Sequence, residues 1–224
     1  ARAKGVAAEL TALAASLAAD KQILLVAHYD FICALLDALV LKAGASRLLS
    51  VAWVVPQQQG EPLEVVDLML PEPGPHQVIV RQYASGICHS QLHTIHNPRQ
   101  APQVLGHEST GEVLEVGGEV TDLAPGDTVM VTWVPKNLEQ ARREGGPVAL
   151  ALPDGQVASS INVFTWATHT IADEMFVVKV PENIDYEADS IIGCAVITGA
   201  GAVLHTAAVQ PGDSVAIVGV GGVG

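Results

Sequence analysis

"GEVLEVGGEVTDLAPGDTVMVTWV" (residues 111–134) sets the rule by which most of this chain reads. Two short β-rich runs, "GEVLEVG" and "DTVMVTWV", are separated by Gly117-Gly118 and by Ala124-Pro125-Gly126-Asp127, which is the chemistry of tight turns. Moving outward, "SVAWVV" (50–55), "LEVVDLML" (63–70) and "QVIVRQYA" (77–84) repeat the texture, with "PEPGP" (71–75) as a further break. That rhythm predicts a compact β-barrel or sandwich. Residues 136–160 read as a polar excursion and return, after which "FTWATHTIADEMFVVKVP" (164–181) resumes strand texture.

Both flanks differ from this middle. Upstream, "AAELTALAASLAAD" (7–20) has helical spacing and strong helix formers, "ILLVA" (23–27) reads as a buried parallel strand, and "FICALLDALVLKAG" (31–44) returns to a helix capped at Gly44. Downstream, a small-residue helix over about 188–208 leads through "QPGD" to the strand "SVAIVGV" and the glycines of "GVGGVG". That is the opening of a βαβ unit. The fold expected is therefore mixed α/β and β, with an α-β-α segment (1–47), a β-rich domain (48–187) and the start of a dinucleotide-binding domain (188–224). The chain begins without methionine and stops inside the glycine motif, so it reads as a fragment.

Composition bounds the function. With 224 residues, 49 % apolar and 16 % charged, the chain can build a full core. A net charge of −13 argues against nucleic acid or an anionic membrane as partner. The three cysteines, Cys33, Cys88 and Cys194, predict free thiols or metal ligands in a reducing compartment, hence the cytoplasm. "IIGCAVITGAGAVLHTAAV" (191–209) has the length of a membrane span, but Gly193, Thr198, Gly199, Gly201 and His205 break it, so a buried helix is expected.

Chemistry concentrates in four places. Gly219, Gly221 and Gly224 spell G-x-G-x-x-G after an apolar run, a pattern that lets pyrophosphate approach a helix N-terminus. A glycine-rich turn with no ligand would look the same over these few residues. "GICHSQLH" (86–93) supplies Cys88, "GHE" supplies His107 and Glu108, and "IIGC" supplies Cys194. Singly, each has a bland reading as a core thiol or a turn histidine. Together, Cys, His and Cys leave a fourth tetrahedral position open, as a catalytic zinc requires.

The order "GICHSQLH … LGHESTGEVLEVGGEVTDLAPGDTV … IIGCAVITGAGAVLHTAAVQPGDSVAIVGVGGVG" resembles the zinc-dependent alcohol dehydrogenases of the medium-chain dehydrogenase/reductase family over about residues 50–224. The "GC…TG…GAVL" run is most similar to the branch that includes the glutathione-dependent formaldehyde dehydrogenases. Cys₂His is the donor set by which alcohol dehydrogenases are known, so it is part of the resemblance and not separate support. The resemblance implies a GroES-like β-rich catalytic domain joined to a Rossmann domain, one zinc, and NAD or NADP. Cys88, His107 and Cys194 would bind zinc, with Glu108 as alternate ligand or outer partner. Ser90 would take the alcohol proton and pass it through the cofactor ribose towards His93. Trp133 would line the substrate pocket, Thr198 would meet the nicotinamide end, His89 the cofactor phosphates, and Gly219, Gly221 and Gly224 the pyrophosphate. Zinc would lower the pKa of the alcohol, and hydride transfer is the cofactor's own chemistry. The substrate would be a small alcohol or aldehyde, and the full-length protein a homo-oligomer.

Two departures stand out. The family usually has aspartate where Gln91 stands, orienting the ligand histidine; loss of such a partner changes metal affinity by about 10–100-fold elsewhere. The four-cysteine lobe of a structural zinc is missing, since "KNLEQARREGGPVALALPDG" has no cysteine, so one zinc is expected and not two. Separately, "ILLVAHYDFICALLDALV" resembles the C-terminal part of histidine phosphatases (phosphoglycerate mutase-like), with His28 at a strand end. Tyr29 replaces the usual glycine, and the Arg-His-Gly motif is missing. The alternatives to a dehydrogenase are thus a zinc-free quinone reductase of the same fold, a phosphohydrolase-derived segment acting through His28, or an inactive truncated or fused fragment.

Overall fold

The computed structural model describes residues 24–27, 34–35, 48–137 and 148–224. Within them, the alternating runs form two sheets. The larger is built on β5 (Gln77–Ile87), whose one edge pairs antiparallel with β7 (Ser109–Val116). Its other edge is shared. β11 (His169–Asp173) pairs antiparallel with its first half, and β1 (Leu24–Ala27) pairs parallel with its last residues. Beyond β7 lie β8 (Thr128–Val131) and β12 (Val177–Lys179). The smaller sheet runs β4 (Glu64–Met69), β3 (Leu49–Val55), β6 (Gln103–Val104), β10 (Val157–Ser159) and β9 (Ala149–Ala151).

A core that includes Leu68, Ile79, Leu150, Phe164 and Ile171 packs between residues of both sheets. Each is removed from water, which at ~25 cal/mol per Å² makes such side chains the main stabilising term. A second cluster, Trp53, Val55, Leu105 and Trp166, lies against Ile87 and Ile95, on either side of the "GICHSQLH" turn. Trp166 Nε1 donates to Gly86 O at 3.0 Å, tying this cluster to that turn.

Four expectations change. Residues 136–160 are not wholly an excursion: β9 and β10 pair as a hairpin across "LPDGQ", where Leu152 N donates to Gln156 O at 2.8 Å and Gly155 takes φ +86°. Burial of Leu150 and Ala158 explains why this segment joins the sheet. Ala34 and Leu35, inside the helix expected over 31–44, form strand β2, antiparallel to β1, so their hydrogen bonds go sideways instead of along a helix. The remaining upstream expectations, including His28 and Cys33, lie outside the described residues.

The helix expected downstream forms as α2 (Ala188–Thr206), but it mixes α turns with tighter and wider ones and is not buried: 22 % of its most apolar stretch is covered. Only its start, around Ser190 and Gly193–Ala195, packs on the sheet, while Val196, Ile197 and Leu204 stay exposed. It is long and apolar enough to cross a membrane by length and composition alone. Finally, "SVAIVGV" (214–220) is no strand here. A parallel strand needs neighbours on its edges, none of the described strands pairs with it, and Val218 is fully exposed.

Candidate metal centre

Four side chains from three chain segments meet at the end of β5. Cys88 follows β5 directly, in the turn before α1 (Ser90–His96). His107 and Glu108 lie between β6 and β7, and Cys194 sits in the wide turn near the start of α2. One ligand atom from each lies within 4.8 Å of the others. The two sulfurs, 106 residues apart in sequence, are 3.9 Å from each other.

Local sequence explains the placement. Gly86 leaves room for Glu108, since a Cβ there would stand 2.6 Å from its carboxylate. Gly106 takes φ +89°, a left-handed conformation that favours glycine, and a Cβ would meet Thr165 Oγ1 at 2.4 Å. Leu105 O accepts from the backbone N–H groups of both Thr165 and Trp166 at 3.0 Å, clamping the turn that carries His107. On the other wall Thr132 Oγ1 donates to Gly193 O at 2.6 Å, and a Cβ on Gly193 would lie 2.5 Å from Val131 O. That close approach brings Cys194 to the sheet.

The electrostatics favour one thiolate. Cys88 Sγ accepts from the Cys194 thiol, and from Ser90 Oγ at 3.3 Å. These bonds hold the Cys88 thiol far below its ordinary value. The same contact, with burial and the nearby Glu108 carboxylate, pushes Cys194 up, so the pair shares one proton. Glu108 is fully buried. His107 Nε2 is buried on the Cys88 side of the ring, whereas Nδ1 lies 2.8 Å from Gln91 Nε2. Trp133 is half exposed and its ring stands edge-on to His107 at 6.5 Å.

The donor set fits zinc. Two soft sulfurs, an imidazole nitrogen and a carboxylate are zinc's ordinary ligands, and the buried Nε2, turned towards the sulfurs, is an atom a metal would take.

Other residues singled out in the sequence are more dispersed. Ser90, His89 and His93 are exposed on or beside α1, with the two imidazoles 6.1 Å apart. Thr198 Oγ1 donates to Cys194 O within its own helix at 2.5 Å. Gly219 has φ +96°, and a Cβ on Gly224 would lie 2.0 Å from Gly219 O, so the glycine turn is tight enough to require them. The turn also folds onto α2, where a Cβ on Gly199 would meet Val223 O at 2.2 Å. Sequence reasoning missed the bracing groups Thr132, Thr165 and Ser85, whose hydroxyl donates to Glu108 O at 2.9 Å. Single polar residues in strands carry no periodic signal. His76 bridges Glu119 and Glu174 at 3.2 and 3.1 Å, a structural role.

Residues 74–182 match the family model described as "Alcohol dehydrogenase GroES-like domain". An S-(hydroxymethyl)glutathione dehydrogenase of Escherichia coli O157:H7 is 35 % identical over 189 aligned residues, covering 74 % of this chain and 51 % of the relative. An alcohol dehydrogenase zinc-binding domain protein from Burkholderia ambifaria superposes with TM-score 0.66 at 29 % identity, covering 75 % of this chain and 52 % of that one. The benzyl alcohol dehydrogenase of Acinetobacter calcoaceticus gives TM-score 0.62 at 26 % identity, covering 75 % and 51 %. The chain spans about half the length of the curated relatives it matches.

Proposed function

Because residues 74–182 match the alcohol dehydrogenase GroES-like domain, we propose that the chain carries the metal-binding, substrate-side part of an oxidoreductase moving a hydride between an alcohol or aldehyde and NAD or NADP. One zinc would be held by Cys88, His107 and Cys194, with Glu108 as alternate ligand and no structural zinc. The observation that carries this reading is the convergence of those four ligand atoms within 4.8 Å. When bound, zinc polarises the substrate oxygen and lowers the alcohol's pKa.

The chain's own residues would then bind and move the proton. Ser90 would take the alcohol proton and pass it through the cofactor ribose towards His93, which lies three residues on along the same face of α1. Trp133 offers an aromatic wall beside the ligands. Gly219, Gly221 and Gly224 would admit the pyrophosphate, with Thr198 and His89 near the rest of the cofactor. The catalytic domain would run over 48–187 and the cofactor domain open at 188, with 1–47 a separate segment. A negative charge and two free thiols among the described residues suit a cytoplasmic enzyme, assembled as a homo-oligomer when whole.

Elemental analysis of the chain, purified without chelators, tests this reading. One zinc per polypeptide is expected, falling towards zero in Cys88→Ser and His107→Ala. A metal-free chain would leave the zinc-free reductase of the same fold as the better reading. Two zincs per chain would refute the single site.

A further inference from the structure

Gln91 is buried on the first turn of α1 and touches two groups at once. Its Oε1 accepts from the Gly106 backbone N–H at 2.9 Å, and its Nε2 lies 2.8 Å from His107 Nδ1. The direction of the amide follows from Gly106, because a backbone N–H only donates and must face the oxygen. The –NH₂ is then left to donate to His107 Nδ1, which must present its lone pair. A neutral imidazole carries one proton, so that proton sits on Nε2. Nε2 is the buried nitrogen that turns away from Gln91 towards the Cys88 sulfur.

Resting on the zinc-site reading above, we propose that Gln91 locks His107 in the tautomer that cannot ligate a metal through Nε2, so that zinc uptake at that nitrogen requires the amide to turn over. A metal at Nε2 needs the lone pair there and the proton on Nδ1. The ring keeps its single proton, which moves from Nε2 to Nδ1. Gln91 must then offer Oε1 to Nδ1–H, and its –NH₂ is turned on the Gly106 N–H, donor against donor. Gly106 cannot easily move away, held as it is at φ +89° against Thr165 and Trp166. The two donors lie at opposite ends of the amide, so Oε1 meets only one of them at a time and the metal-bound form leaves the other unmet. A carboxylate of the same length has two acceptor oxygens and would satisfy both. Gln91 is thus a positioning residue that weakens the site by its hydrogen-bond count.

The test uses the whole chain, ¹⁵N-labelled at histidine, with zinc ion as the probe. In metal-free wild type, long-range ¹H–¹⁵N spectra should place the His107 proton on Nε2; in Gln91→Glu it should move to Nδ1. Competition with a chromogenic chelator should show Gln91→Glu binding zinc about 10–100-fold more tightly than wild type. An Nδ1–H tautomer in metal-free wild type would overturn the proposal, as would equal zinc affinities in the two proteins. If neither protein takes up zinc, the zinc-site reading fails, and the proposal, which presupposes that site, falls with it. A chain that binds one zinc equally well in both forms keeps the site and loses only the role of Gln91.

Discussion

Replacing His169 with glutamine should remove a specific share of the chain's acid sensitivity. His169 opens β11 opposite Arg81, is 1 % exposed, and holds only a 3.1 Å contact from Nδ1 to Thr168 Oγ1. Burial, with the Arg81 charge adding to it, drives its pKa down from 6.5 to about 4. The folded state therefore refuses a proton that the unfolded chain accepts between those values. The stabilisation from the neutral ring is complete above the unfolded pKa and is lost as pH falls towards the folded one. Integrating a shift of that size from about pH 7 to about pH 4.5 gives a loss of ~2.5 kcal/mol. Urea denaturation of wild type and His169→Gln at both pH values isolates this term, because every other titrating group is common to the two proteins. The gap between them should narrow by about 2.5 kcal/mol on acidification, on the linkage argument. If it stays constant within ~0.5 kcal/mol, the ring is not held neutral by burial and the reasoning is wrong.

Other perturbations have equally direct readouts. Gly106→Ala should cost more than ~2 kcal/mol in urea unfolding, combining a left-handed backbone with a Cβ against Thr165 Oγ1, and should lower zinc content by moving His107. Phe164→Ala, in the core shared by the two sheets, should cost about 3–5 kcal/mol by the same measurement; a loss under ~1 kcal/mol would contradict the packing. Lys179→Met should change the thermal midpoint little, since its ion pair with Asp127 is exposed on the lysine side and worth at most ~1 kcal/mol.

Much of the β-rich middle is legible from residues alone. Val113 is buried between the partly buried Glu112 and Leu114, Val129 and Val131 are buried either side of the partly buried Met130, and Gly126 takes the positive φ that the "APGD" turn requires. Such signals are local: side-chain alternation and backbone permission act over two to five residues. The motif order was also enough to place Cys88, His107 and Cys194 together as a hypothesis. Their bracing was not legible, because Thr132, Ser85 and Thr165 act through single hydrogen bonds across the sheet. Nor was the state of "SVAIVGV" or of α2, whose apolar content predicts a cover that the described residues do not supply.

Local pattern and residue chemistry dictate which segments can pair, where they turn and which residues suit a soft metal site. Tertiary structure alone decided that two sulfurs 106 residues apart stand 3.9 Å from each other. It also decided that the Gln91 amide stands between the Gly106 N–H, which its oxygen accepts, and His107 Nδ1, which faces its –NH₂. The physical reason is the range of the forces. Pattern and turn propensity are properties of neighbours in the chain, while a shared proton or a shared acceptor exists only when sheet closure brings distant groups within bonding distance.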